Sequence, residues 1–330
     1  MRYSKCLLQA PIKCDSLMTK IAYDVNEQAN NLNYWEQCYD QISSGHFFGS
    51  TTELAFEGLQ LFHEFTSQQL HQRCKMPPNC VWLGITSNRD SKSRVNGLAV
   101  ENNHMICRQG NGTFELITPK NHHCYGMVVQ KQKLNETAAL QGIEINDLYF
   151  AENERLWIPE SVMENLRFLL NRLLREAAVL PGAKLQEDLV MMFLLEILQN
   201  HRQCKAITSS YRHRKQVVDR VRHHLDRNQD RAVSVTELCH SVGTCRRTLQ
   251  YSFESIIGIS PIKYMRAMRL NGARRSLLSI TKDISVAEAA ANWGFLHLSQ
   301  FAKDYRELFG ELPSDTLIQA QKATIRGSFN

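Results

Sequence analysis

The chain has 330 residues, 43% hydrophobic and 22% charged, which is enough for two or three folded units and excludes disordered, collagen-like and low-complexity classes. No apolar run approaches the ~18 residues of a membrane-crossing helix, and residues 1–20 carry charges where a signal peptide has its apolar core, so a cytoplasmic protein with no membrane partner is expected. The net charge of +6 is unevenly spread: residues 201–330 hold 21 Lys+Arg against 11 Asp+Glu, leaving 18 against 22 in residues 1–200. A basic C-terminal third on a mildly acidic body points to a polyanionic partner, most often nucleic acid. The 10 cysteines show neither a C-x-x-C pair nor a regular spacing. They read as reduced thiols rather than a disulfide framework or a zinc knuckle.

Residues 46–130 alternate β-prone runs (53–65, 80–86, 98–107, 113–118 and 124–130) with breaks at Pro77-Pro78, Asn96-Gly97, Gly110-Asn111-Gly112 and Pro119. This pattern predicts a small β barrel or sandwich. After Pro159 the period changes. Val162, Leu166, Leu169, Leu173, Ala177 and Leu180 form one helical stripe, ended by Pro181-Gly182. A second helix carries Leu185, Leu189, Met192, Leu195 and Leu198 and is apolar on nearly every side from 189 to 195. Such a helix needs cover on more than one face, either from its own domain or from a dimer partner as well. The basic stretch 199–215, with Lys205, Arg212, Arg214 and Lys215, reads as a linker running into the next helix.

The C-terminal domain contains an internal repeat. Ser234-Val235-Thr236-Glu237 and Ser285-Val286-Ala287-Glu288 are both S-x-x-E capping boxes, in which the serine accepts from an early helix amide and the glutamate reaches back. Cys239 and Ala290, then Gly243 and Gly294, follow at the same offset, the glycines where two helices turn sharply. One residue later in register, Leu249 pairs with Phe301, Phe253 with Tyr305, Gly258 with Gly310 and Pro261 with Pro313. Each copy has the order of a DNA-reading helix-turn-helix. In the first copy Leu249 and Phe253 face inward, so Arg247, Gln250 and Tyr251 share the outward face beside Arg246; an Arg there can bond guanine and a Gln adenine. The second copy presents Leu298, Ser299, Ala302 and Lys303, a less polar surface expected chiefly to grip phosphates. Between the copies, residues 262–279 read as one long helix, with Arg266, Arg269, Arg274 and Arg275 among its apolar positions. It can hold two recognition helices about one DNA turn, ~34 Å, apart.

The runs SVTELCHSVGTCRRTLQYSF (234–253), GISP (258–261), MRLNGARRSL (268–277) and AAANWGFLHLSQF (289–301) closely resemble the DNA-binding domain of AraC/XylS-family transcriptional regulators over about residues 215–320. That resemblance adds His297 to the expected DNA contacts. The N-terminal half resembles one subgroup, the activators of ethanolamine-utilisation operons. It does so at Trp35, Tyr39-Asp40-Gln41, Gly45-His46-Phe47, Thr52-Glu53-Leu54, Gln60-Leu61-Phe62, Pro78-Asn79, Trp82-Leu83-Gly84-Ile85, Asn96-Gly97 and residues 114–119. The resemblance implies an α+β chain. A β-rich, cupin-like ligand-sensing domain spans residues 1–158, and a helical pair that packs on it or dimerises spans 159–204. A linker at 205–214 leads to an all-α double helix-turn-helix domain at 215–330. It implies a double-stranded DNA operator, RNA polymerase, a homodimer and a small effector as partners: ethanolamine, with adenosylcobalamin as a further effector, at residues that spacing does not locate. An AraC-type regulator with another effector or none is the alternative.

His122-His123-Cys124 and His223-His224 are not expected to bind metal, since adjacent side chains diverge. Gly110-Asn111-Gly112 is a hairpin turn rather than a phosphate cradle. An enzyme is not expected. A DNA-repair alkyltransferase fused to such a DNA-binding module needs clustered cysteines, and Cys6, Cys14, Cys38, Cys74 and Cys80 are irregularly spaced. A chromatin-like architectural protein does not call for a large β-rich domain.

Overall fold

The structure is a computed structural model that describes residues 17–87, 92–110, 112–145, 150, 154–177, 182–200, 202–204, 207–279 and 284–327. In chain order the strands are β1 (Met18–Ala22), β2 (Glu36–Gln41), β3 (Gly49–Ala55), β4 (Leu59–Thr66), β5 (Leu70–Lys75), β6 (Cys80–Thr86), β7 (Arg94–Val95), β8 (Leu98–Ala99), β9 (His104–Gln109), β10 (Thr113–Thr118), β11 (His122–Gln130), β12 (Arg155–Trp157) and β13 (Arg202–Gln203). They form two antiparallel sheets, ordered β1-β3-β4-β11-β6-β9-β12-β13 and β2-β5-β10-β7-β8. The helices are α1 (Val25–Ala29), α2 (Lys131–Leu140), α3 (Glu160–Glu176), α4 (Ala183–Asn200), α5 (Ser209–Asp226), α6 (Val235–Val242), α7 (Arg246–Ile256), α8 (Pro261–Leu278), α9 (Val286–Asn292), α10 (Leu298–Phe309) and α11 (Pro313–Gly327).

Side chains alternate across each strand, and this sorts the N-terminal region into layers. Phe62, Trp82, Cys124 and Val128 of the large sheet meet Tyr39, Leu70, Cys74 and Phe114 of the small sheet in one core. The opposite face of the large sheet, with Leu61, Leu83, Ile85 and Met127, packs on Leu166, Leu170, Leu194 and Leu195 of α3 and α4. The helical pair therefore finds cover on the sheet, while Phe168, Leu185, Leu189 and Met192 remain exposed. The outer face of the small sheet meets the C-terminal domain: Ile117 joins Val218, Val221 and Phe253 in a third core.

Several expected elements differ. The run 53–65 is the β3-β4 hairpin, folded where the Phe56 amide donates to Leu59 at 2.7 Å. The run 98–107 is divided between β8 and β9 by a turn at Glu101, which accepts from the His104 amide at 2.9 Å. Leu180, expected at the end of the first helical stripe, lies outside the described residues, as do Cys6 and Cys14. The basic stretch taken as linker is already helical from Ser209: the Thr208 hydroxyl caps α5 by accepting from the Tyr211 amide at 3.2 Å. Arg212, Arg214 and Lys215 therefore sit on a helix whose Val217, Val218 and Val221 are buried.

Candidate nucleic-acid interface

The C-terminal domain has two cores strung on one helix. Tyr264 and Met265 of α8 enter the core with Leu238, Leu249 and Phe253. One turn onward, Ala267, Leu270, Ala273 and Leu277 enter the core with Ala290, Phe301 and Tyr305. A helix serving two cores must be apolar around much of its girth, which is why α8 lacks a single stripe. Both G-x-x-P segments end one helix and start the next: Gly258 and Gly310 have φ of +88° and +82°, and Pro261 and Pro313 open α8 and α11.

The two turns are set by their caps. Gly243 ends α6 with φ +66°, and Gly294 has φ +71°. At Gly294 a Cβ would come within 2.6 Å of the Arg231 backbone, so only glycine lets the second turn lie against the loop before α6. The Ser285 box is complete, with Glu288 N donating to Ser285 Oγ at 3.1 Å and Ser285 N donating to Glu288 Oε2 at 2.8 Å. The Ser234 box is half made. Ser234 Oγ accepts from Glu237 N at 3.1 Å, but the Glu237 carboxylate turns to Arg231 and to His224 Nε2 at 3.1 Å instead of reaching back. Arg231 and His224 beside it lower the Glu237 carboxyl to about 2.

Leu249, Phe253, Phe301 and Tyr305 are fully buried, so the opposite faces of α7 and α10 point to solvent. Arg246, Arg247 and Tyr251 are exposed on α7 and Gln250 is half-buried. Arg214 of α5 lies over the Tyr251 ring, 5.4 Å from its centroid, which extends the basic and aromatic surface beyond α7. Gln250 Nε2 donates to Glu254 Oε1 at 2.5 Å, so its amide nitrogen is held along the helix. On the second copy His297 precedes α10, and Leu298, Ser299 and Lys303 are exposed on it. Glu254 is not marked by the sequence pattern, and Arg214 is read there only as part of a basic linker. The i, i+4 spacing of Gln250 and Glu254 is the signal that finds the first.

The arginines of α8 divide their roles. Arg269 lies over the Phe295 ring at 4.8 Å, and Arg266 faces Asp304 at 3.3 Å. Arg274 and Arg275 turn to the N-terminal region. Arg274 Nε donates to Asp24 Oδ2 at 2.5 Å, and its Nη1 donates to Tyr305, Glu311 and Thr316. Arg275 Nη1 donates to Asp40 Oδ1 at 2.7 Å. Asn271 exchanges bonds of 2.9 Å with the backbone of Gln41.

A helix-turn-helix domain model, HTH_18, matches residues 238–319. A XylDLEGF operon transcriptional activator of Pseudomonas putida is 40% identical over 100 residues, 30% of this chain and 64% of that protein. The C-terminal part of the chain is a helix-turn-helix domain similar to that of this transcriptional activator. A second XylDLEGF activator from the same organism is 38% identical over 105 residues, 32% of this chain and 33% of its own length. The chain thus spans 33–64% of the length of these relatives. A solved structure of a probable AraC family transcriptional regulator from Rhodopseudomonas palustris is 33% identical over 32% of this chain and 96% of that one, with a TM-score of 0.30.

His122 points into the core between the sheets and His123 away from it, toward His63 at 3.2 Å. Cys38, Cys74 and Cys80 are free thiols, and burial pushes those of Cys74 and Cys80 up. No helix among the described residues is long and apolar enough to cross a membrane.

Proposed function

We propose that the protein is a sequence-specific transcriptional regulator that binds double-stranded operator DNA through α7 and α10 and activates a catabolic operon. The exposed Arg246, Arg247 and Tyr251 on a helix whose other face is locked by Leu249 and Phe253 carry this reading. Arg247 and Gln250 read base edges, Arg246, Ser299 and Lys303 hold phosphates, and Tyr251, His297 and Leu298 complete the contact surfaces. RNA polymerase is the partner through which an activator works. The exposed apolar residues Phe168, Leu185, Leu189 and Met192 on α3 and α4 support a homodimer.

The two facing sheets are the cupin-like sensing unit, and the N-terminal resemblance supports ethanolamine with adenosylcobalamin as its effectors. The cavity between the sheets is about 20 Å³, room for about one water, so adenosylcobalamin does not fit there. An effector acts only by binding two states of the protein differently. Calorimetry with the full chain is expected to detect ethanolamine or adenosylcobalamin, and a reporter on the protein's own operator is expected to rise only when both are supplied. No heat and no reporter response would remove the effector assignment and leave the DNA-binding reading standing.

A further inference from the structure

The second helix-turn-helix copy opens its outer helix with apolar surface. Gly294 turns the chain with φ +71°, and Phe295 then folds onto Phe301, ring centroids 4.9 Å apart, beneath the Arg269 guanidinium at 4.8 Å. Past Phe295, residues 296–300 are all exposed. Leu296 is 87% exposed and Leu298 50%. A single leucine at a surface is ordinary. Two of them bracketing His297 at the start of α10 are not, because the N-terminal residues of such a helix are those that meet base edges.

The long polar side chains that crowd the start of α7 have no counterpart here. Residues 296–303 contain no Arg or Asn. Their one long amide, Gln300, donates from Nε2 to Asp304 Oδ1 at 2.7 Å, and Asp304 is buried and faces Arg266 of α8 at 3.3 Å. That nitrogen is therefore held toward the α8 side of the helix. Leu298 and the half-buried Ala302 lie one turn apart on one stripe of α10. The stripe beside it carries Ser299, Lys303 and Arg306, all exposed. An apolar strip bordered by cations matches the major groove at thymine, whose C5-methyl lies between two rows of phosphates.

The size of the patch also selects its occupant. Two leucines fall far short of the ~800 Å² that each partner gives to a stable protein interface, and they scale instead to one or two methyl groups. Leucine has no donor or acceptor, so it discriminates by what it desolvates. At the same place in the groove cytosine, adenine and guanine present amino groups, ring nitrogens or a carbonyl, and covering one of these with leucine leaves it without a partner. A thymine methyl loses nothing on being covered and leaves water favourably.

We infer that α10 reads thymine C5-methyl groups through Leu296 and Leu298. The two helix-turn-helix copies then divide the work: α7 distinguishes bases by hydrogen bonds, and α10 distinguishes them by methyl groups while Lys303 and Arg306 hold the flanking phosphates. The inference rests on the DNA-binding reading above and narrows it, since it gives the second copy a sequence preference of its own. The half-site under α10 is thymine-rich, and the strand that carries each thymine is fixed, because only one strand of an A·T pair offers the methyl at a given place.

The test is a uracil scan of a site selected from random duplex DNA, with affinity of the full chain read by anisotropy. Uracil pairs as thymine does and lacks only the C5-methyl. Each thymine in the half-site ~10 base pairs from the positions that depend on Arg247 is replaced in turn. The parent chain is expected to lose about fourfold at each methyl it covers, ~0.8 kcal/mol at 1.4 kcal/mol per tenfold. The double variant Leu296→Ala, Leu298→Ala is expected to keep the parent melting temperature, to bind the thymine site more weakly than the parent and to be indifferent to uracil. Arg247→Ala is expected to keep the uracil penalty. A parent chain indifferent to uracil, or a double variant with the full penalty, would overturn the proposal and leave the DNA-binding reading standing. A double variant that keeps affinity and penalty but loses reporter output would assign the leucines to a protein partner and overturn it as well. Recovery of no preferred site would remove the sequence-specific reading itself, and the proposal with it.

Discussion

Replacing Asp24 with asparagine tests whether the two regions of the chain are held together by discrete polar ties. The Asp24 and Arg274 side chains are each only 9% exposed and meet at 2.5 Å. Burial works against the charge of Arg274, but Tyr305, Asp24 and Glu311 outweigh it and keep the guanidinium protonated. The variant is a narrow perturbation. Asp24 Oδ1 accepts from the Asn26 amide at 2.7 Å, a cap that asparagine also makes, so α1 keeps its start and only the carboxylate charge at Oδ2 is lost. Arg274 retains Glu311 at 2.8 Å, so the cost is that of one hydrogen bond to a charged group, ~1.5 to 3 kcal/mol, rather than that of an abandoned buried charge. About 2 kcal/mol corresponds to roughly a 30-fold shift between docked and undocked arrangements. Amide exchange on the full chain should show β2 and the middle of α8 opening together and faster by about that factor, with α6 and α7 unchanged. Glu311→Gln is the control, since it weakens Arg274 inside the C-terminal domain without touching α1. Equal exchange in Asp24→Asn and the parent chain, or equal loosening of β2 in the control, would refute the reasoning.

Ser285→Ala removes one side of the complete capping box and should destabilise the C-terminal domain by ~1 kcal/mol in urea unfolding; an unchanged midpoint would show that α9 is held by packing alone. Glu254→Ala frees Gln250 and removes a carboxylate from the proposed DNA-facing surface, so affinity for DNA measured by anisotropy should rise and not fall. His122 is pushed down to about 3 and His63 to about 4, both mainly by burial, whereas in the unfolded chain both titrate near 6.5. The unfolded chain therefore binds more protons below pH 6.5. Stability present above that pH should fall by up to ~1.4 kcal/mol per pH unit per histidine, down to about 4 for His63 and about 3 for His122. His122→Gln should flatten that slope in denaturant titrations between pH 6.5 and 4, and an unchanged slope would contradict the assignment.

The C-terminal domain was legible in the sequence because its signals are local. Ser285-Glu288, Gly243 and Gly294, and the two G-x-x-P segments each act within a few residues, and the structure puts a cap, a left-handed turn or a helix start at those places. Strands β2 and β5 were not legible, because their sequences EQCYDQ and LHQRCK show no apolar alternation. The structure supplies the reason: Gln37, Tyr39 and Gln72 turn to the cavity, while Asp40 and Arg73 turn outward, where Asp40 meets Arg275. A strand with polar residues on both faces carries no period-two signal. For Arg274 and Arg275 the sequence shows only basic positions on a long helix, because their partners lie 250 and 235 positions away. Helix α5 hid for a similar reason, its three buried valines being outnumbered by charges that suggested a linker.

Selection of binding sites from randomised duplex DNA, with the full chain and its Arg247→Ala and Gln250→Ala variants, bears most directly on the claim that α7 reads sequence. Each variant should lose ~1 to 3 kcal/mol on the selected site, relax the preference at one or two base pairs and leave the rest of the site intact. Equal losses on selected and random DNA, with the recovered site unchanged, would show that α7 only grips the backbone and would contradict the account.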